Sequence, residues 1–110
     1  MNGKAHSLSR QSDFRRLQRK GRAWSDRLLV VRTAANFTPS SRFAFSVGKN
    51  VGKAVVRNRV KRRLREILRD VPVKQGWDVL IIVRPEVARM QFREVRTGLI
   101  KLLQRAGLLE

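Results

Sequence analysis

The stretch RFAFSVGKNVGKAVVRNRVKRRLREILR, Arg42 to Arg69, decides how this chain is read. It opens on Arg42 to Val47, where Phe43, Phe45 and Val47 alternate onto one face, the two-residue period of a strand with one buried side. It closes on Ala54 to Arg69, where Val56, Val60, Leu64 and Ile67 recur at helical spacing. At about 100° per residue these four span roughly an 80° arc. Asn58, Arg62, Arg65 and Arg69 fall on the opposite side, while Arg57 with Lys61, and Arg59 with Arg63, flank the apolar stripe. The spacing predicts a helix with one face on a sheet and a remainder that is almost entirely cationic.

The same reading extends in both directions. Leu28 to Ala34 (LLVVRTA) reads as a strand, separated from Arg42 by the turn-rich Asn36-Phe37-Thr38-Pro39-Ser40-Ser41. Trp77 to Arg84 (WDVLIIVR) reads as another, its continuous apolar run implying a central position covered on both faces, with Pro85 ending it. Ser9 can cap a first helix that runs through about Lys20, with Leu8, Phe14 and Leu17 as apolar positions and Gly21 as its stop. A last helix, about Gln91 to Ala106, aligns Phe92, Val95, Leu99, Leu102 and Leu103, with Gly107 beyond its end. There is no internal repeat, low-complexity tract or linker, so residues 1–110 form one domain. The expected fold class is α+β: a two-layer α-β sandwich on a small mixed sheet, in the order α-β-β-β-α-β-α.

Composition narrows the function. The chain carries 26 Lys+Arg against 8 Asp+Glu, a formal charge of +18, yet 42% of its residues are hydrophobic. A disordered basic tail lacks that much apolar surface. Zero cysteines and one histidine, His6, exclude a disulfide scaffold and a His/Cys zinc site. No apolar run approaches the roughly 18 residues needed to cross a bilayer, and the opening MNGKAHSLSR lacks the apolar segment of a secretory signal. The expectation is a soluble, cytoplasmic, folded polycation with no membrane and no small-molecule substrate. Residues 1–22 hold a net +6 and residues 49–69 a net +8, so two short segments supply most of the charge. Such concentration is unfavourable for a compact chain unless it faces a polyanion. Arg outnumbers Lys nineteen to seven, which suits bidentate contacts and stacking on bases.

No constellation supports independent catalysis. Gly48-Lys49-Asn50-Val51-Gly52-Lys53-Ala54 leads from a strand into a helix, but three residues separate its glycines where a nucleotide-binding P-loop has four. Ala54 also stands where Mg²⁺ would need a hydroxyl. Two readings remain for this loop: a flexible connection, or backbone amides with Lys49 and Lys53 presented to a phosphate. Among the acids only Glu66 and Asp70 stand at i,i+4 on a helix, and a two-metal nuclease needs several converging carboxylates. No catalytic residue and no protein metal ligand is assigned. The cationic helix, about 24 Å long, suits the shallow groove or phosphate ridge of folded RNA. Asn58 can read a base edge or orient a hydrated ion there, or be an ordinary solvated helix residue.

From Phe45 to Glu66, FSVGKNVGKAVVRNRVKRRLRE resembles the signature of the bacterial ribonuclease P protein subunit, centred on the Arg57-Asn58-Arg59 tripeptide. The likeness extends over the whole chain, through Ser12-Asp13-Phe14, the strand pair, WDVLIIVR and the closing helix. The resemblance implies an α-β sandwich with a left-handed crossover around the basic helix, against the usual right-handed rule. It implies two partners: a catalytic RNA, which cuts the 5′ leader from precursor tRNA using Mg²⁺ bound mainly by that RNA, and the precursor tRNA itself. The protein alone is then inactive. Position by position, Lys49, Lys53, Arg57, Asn58, Arg59, Lys61, Arg62 and Arg65 match the surface that approaches the catalytic RNA. Phe14, Gln18, Arg32, Ser46 and Arg57 match the surface that holds the leader. Gln18 and Arg32 stand where many relatives present an aromatic ring, so leader binding leans on hydrogen bonds and on the Arg32 guanidinium, which can itself stack. Base stacking contributes about 1–3 kcal/mol per base. Charge and size equally permit a structural RNA-binding protein, such as a small ribosomal protein; a membrane-active cationic helix is disfavoured by the apolar strands.

Overall fold

The computed structural model describes residues 6–7 and 11–110, with side chains from Arg15 onward except Lys20. Along the chain run β1 (His6–Ser7), α1 (Gln11–Lys20), β2 (Arg22–Ser25), β3 (Leu29–Ala35), β4 (Arg42–Val47), α2 (Ala54–Asp70), β5 (Trp77–Val83), a 3-10 turn (Pro85–Arg89) and α3 (Phe92–Arg105). The order α-β-β-β-α-β-α is therefore present, preceded by the two-residue β1. The strand before Leu29 is β2, four residues with a single large apolar side chain, too short for a period to show. Leu8 and Ser9, the expected start and cap of α1, lie outside the described residues.

The five strands form one mixed sheet in the order β1-β4-β5-β3-β2. β5 is central, parallel to β4 and antiparallel to β3. Parallel neighbours need a crossover, and α2 is that crossover. Because side chains alternate across a strand, each strand feeds two separate cores. Phe43, Val47, Val79, Ile81, Leu29 and Val31 meet Val60, Leu64 and Ile67 of α2 and Val95, Leu99, Leu102 and Leu103 of α3. On the opposite face Ala44 and Leu80 pack against Leu17 of α1, with Ala34 and Ile82 beside them. The apolar run of β5 is thus covered on both sides, but α1 spans only part of the second face.

One acid interrupts that run. The Asp78 carboxylate is wholly buried. It accepts from Arg42 Nε at 2.8 Å and Nη2 at 2.7 Å, from Asn36 Nδ2 at 2.9 Å, and from Arg16 Nη2. Arg16 Nη1 donates onward to the Ala35 carbonyl at 2.8 Å. A buried carboxylate needs partners of this kind to offset lost hydration. This one fastens α1, the β3–β4 loop and the start of β4 to the middle of the sheet.

α1 stops at Gly21, whose amide donates to the Leu17 carbonyl at 3.0 Å. A Cβ there would stand 2.2 Å from the Leu17 carbonyl oxygen and 3.1 Å from that of Thr33, both backbone atoms. Gly21→Ala is expected to destabilise the fold by about 1–3 kcal/mol, as other overpacked sites do. Thermal melts would then shift by about 4–8 °C per kcal/mol; an unchanged Tm would show that the turn relaxes freely.

Candidate nucleic-acid interface

β4 ends in a tight turn, in which the Val51 amide donates to Gly48 O at 3.1 Å and the Gly52 amide to Lys49 O at 3.2 Å. Val51 is buried and anchors the turn, leaving Lys49, Asn50 and Lys53 exposed around it. Gly52 has φ +157, and a Cβ on it would lie 2.9 Å from Val56 Cβ, so the loop closes directly onto the first turn of α2. That turn has no side-chain cap and contains no acid. The positive end of the helix dipole is thus left uncompensated, with two lysines beside it, an arrangement that favours an anion.

Along α2, Val60, Leu64, Ile67 and Leu68 are buried, as the spacing predicts, with Leu68 added to the stripe. Asn58, Arg59, Arg62, Arg65 and Arg69 are exposed, and Arg57, Lys61 and Arg63 are half-buried along its two borders. The Arg57–Lys61–Arg65 row borders β4: the Arg65 guanidinium lies over the Phe45 ring, 5.6 Å from its centroid. Such a contact holds the cation in place by its attraction to the ring face. Arg57 Nε is buried and has no hydrogen-bond partner. Buried donors are normally satisfied, so this atom is an exception among the described residues.

The second face of the sheet is read from the strand register. Ala44, Leu80, Arg32 and Ala23 form one row across β4, β5, β3 and β2, and Ser46, Ile82, Val30 and Ser25 form the next. The first row meets Leu17 of α1. Arg32 is half-buried in it, whereas Ser46 is exposed in the second row and Gln18 is exposed on α1. Arg32 and Ser46 therefore share the sheet face on which α1 packs, and Gln18 stands exposed on α1 itself; the strip of that face left open beside the helix is the α1 trough. Phe14 belongs to α1, but its side chain lies outside the described residues. Arg57 stands apart from these three, on the helix that packs against the other face. The eight positions matched to the catalytic-RNA surface lie together on α2 and its entry loop.

The Asp78 network is what the sequence reading missed; an acid inside an apolar strand was its only signal. Trp24 is half-buried on β2 against the main core, with the Arg22 guanidinium 5.3 Å from its ring centroid. It lies on the face opposite Arg32 and does not replace a ring in the trough. Among the described residues no three of His, Cys, Asp and Glu gather as a metal site. Asp26 is engaged by the Leu28 and Leu29 amides, both at 2.8 Å. No helix among the described residues is long and apolar enough to cross a membrane.

Known proteins share this arrangement. The sequence model of the family described as Ribonuclease P matches residues 2–107. The ribonuclease P protein component of Clostridium botulinum (strain Loch Maree / Type A3) is 37% identical over 108 residues, covering 96% of this chain and 97% of its own. Among solved structures, the RNase P protein of Staphylococcus aureus superposes with a TM-score of 0.87 at 29% identity, over 97% of this chain and 100% of that one. The RNase P protein from Thermotoga maritima gives 0.83 at 31% identity, over 91% and 96%.

Proposed function

Because the chain belongs to the ribonuclease P protein family, we propose that it is the protein subunit of a ribonucleoprotein endonuclease acting in the bacterial cytoplasm. Its partners are the catalytic RNA and precursor tRNA, and the complex removes the 5′ leader to leave the mature tRNA end. The observation that carries this reading is the exposed cationic ridge of α2, capped by an anion-ready helix start and adjoining a partly open sheet face. α2 and its entry loop neutralise phosphates of the catalytic RNA. The α1 trough, with Gln18, Arg32 and Ser46, holds the single-stranded leader together with Phe14 of the same helix, and Arg57, on the helix across the sheet, serves the catalytic RNA. The protein contributes binding and orientation, which lower the barrier by holding reactants in place, and the RNA contributes the cleavage.

Mg²⁺ serves this reaction on the RNA. The acids of the described residues do not fit a Mg²⁺ cage, which is built from oxygen ligands in near-octahedral geometry: Asp78 and Asp26 are engaged within the fold and no cluster stands elsewhere.

Reconstitution tests the proposal. Purified protein alone should leave precursor tRNA intact, yet raise cleavage by the catalytic RNA at low Mg²⁺. Trimming the leader stepwise should erase that gain once the remaining nucleotides no longer reach the trough between α1 and Arg32. Cleavage by the protein alone, or an unchanged rate with the RNA, would refute the assignment.

A further inference from the structure

A second aromatic and basic cleft lies at the other end of the sheet. β4 and α2 are joined beyond the Val47–Val83 pair, whereas this cleft opens beyond Ala35 and Trp77, at the far end of the same strands. A six-residue strand separates the two ends by about 20 Å. The cleft has a volume of about 380 Å³ and is lined chiefly by Arg16, Arg22, Trp24, Phe37 and Trp77. That volume falls within the range of about 300–1,000 Å³ usual for ligand sites. No acid lines it.

Phe37 is its most unusual member. The ring is 94% exposed on the β3–β4 loop, and the backbone there has φ 56, a conformation that a bulky residue rarely adopts. The loop is held in that state from both sides. Asn36 Oδ1 accepts from the Thr38 amide and hydroxyl, both at 2.8 Å, while its Nδ2 donates to Ser40 O and to buried Asp78, both at 2.9 Å. A strained residue persists where its surroundings over-determine it, and here the result is an aromatic ring displayed to solvent. Arg22, stacked on Trp24, places a cation beside the rings.

We propose that this cleft is a second RNA-contact site, taking one unstacked base of a single-stranded segment against Phe37 and the tryptophans, with its phosphate on Arg22. Rings and a guanidinium without an acid form the combination by which proteins hold single strands without reading their sequence. The inference rests on the RNA-binding reading above and adds a contact point at the opposite end of the strands from the α2 entry loop, bordered by Arg16 of α1.

The chain supplies its own reporter. Trp24 and Trp77 are its only tryptophans, it has no tyrosine, and both tryptophans line the cleft. Tryptophan emission of the full chain is titrated with hexaadenylate, while anisotropy of a labelled strand follows RNA binding in parallel. Saturable quenching is expected, weakened at least about fivefold by Phe37→Ala, the loss of one stacking partner, and weakened also by Arg22→Gln. Separate titrations with the catalytic RNA and with precursor tRNA identify which of them supplies the base. Anisotropy that rises with no quenching by any of the three RNAs would overturn the cleft and leave the RNA-binding reading intact. Quenching undiminished in both variants would overturn the cleft as well. Failure of both signals would sink the two together.

Discussion

Replacing Arg57, Arg59 and Arg62 together by alanine is expected to lower affinity for the catalytic RNA by roughly 500-fold in about 0.1 M salt. The slope of log affinity against log salt should fall by about three. Each phosphate neutralised contributes about 0.9 to that slope on the duplex scale, so three lost contacts amount to nearly three decades at 0.1 M and vanish toward 1 M. Arg59 and Arg62 are exposed and Arg57 half-buried, so the fold should survive and thermal melts should barely move. Removing equal charge from α3 through Arg93→Ala, Arg96→Ala and Lys101→Ala is the control, since those side chains are exposed away from the α2 ridge. Its effect on affinity should be markedly smaller. Equal losses from the two triple variants would mean that net charge alone binds RNA and that α2 is not the interface.

Asp78→Ala should have the largest effect on stability. Removing one member of a buried ion pair costs about 3–5 kcal/mol. Here the partners Arg16 and Arg42 retain 30% and 28% side-chain exposure and can turn to water, which places the loss near the lower bound. About 3 kcal/mol corresponds to a fall in Tm of roughly 12–24 °C for a domain of this size. The functional consequence should be selective. Asp78 fastens α1 through Arg16, whereas α2 is held by the separate core on the other face. Measured below its lowered Tm, the variant should keep catalytic-RNA affinity but lose the dependence of cleavage on leader length. Unchanged melting would show that the network contributes no net stability; loss of both functions together would show that the two faces are not independent.

The contrast between these two regions marks what could be read without coordinates. α2 was legible almost residue by residue because its apolar stripe and its charge obey one local period, and the strands Arg42–Val47 and Trp77–Val83 followed from alternation and continuous burial. The expected order counted β2 without placing its residues, because Arg22–Ser25 is stabilised by pairing with β3 rather than by a pattern of its own. The trough was only half legible: Arg32 and Ser46 belong to different strands that only register brings to one face, while Gln18 belongs to α1.

Local periodicity and charge density determined the elements, the central strand and the cationic helix, since those depend on neighbours one to four positions away. The tertiary structure alone decided that Asp78 would gather Arg16, Asn36 and Arg42, and that Phe37 would share a cleft with Trp24 and Trp77. Both depend on contacts between residues tens of positions apart, whose energies come from burial and pairing that no local pattern encodes.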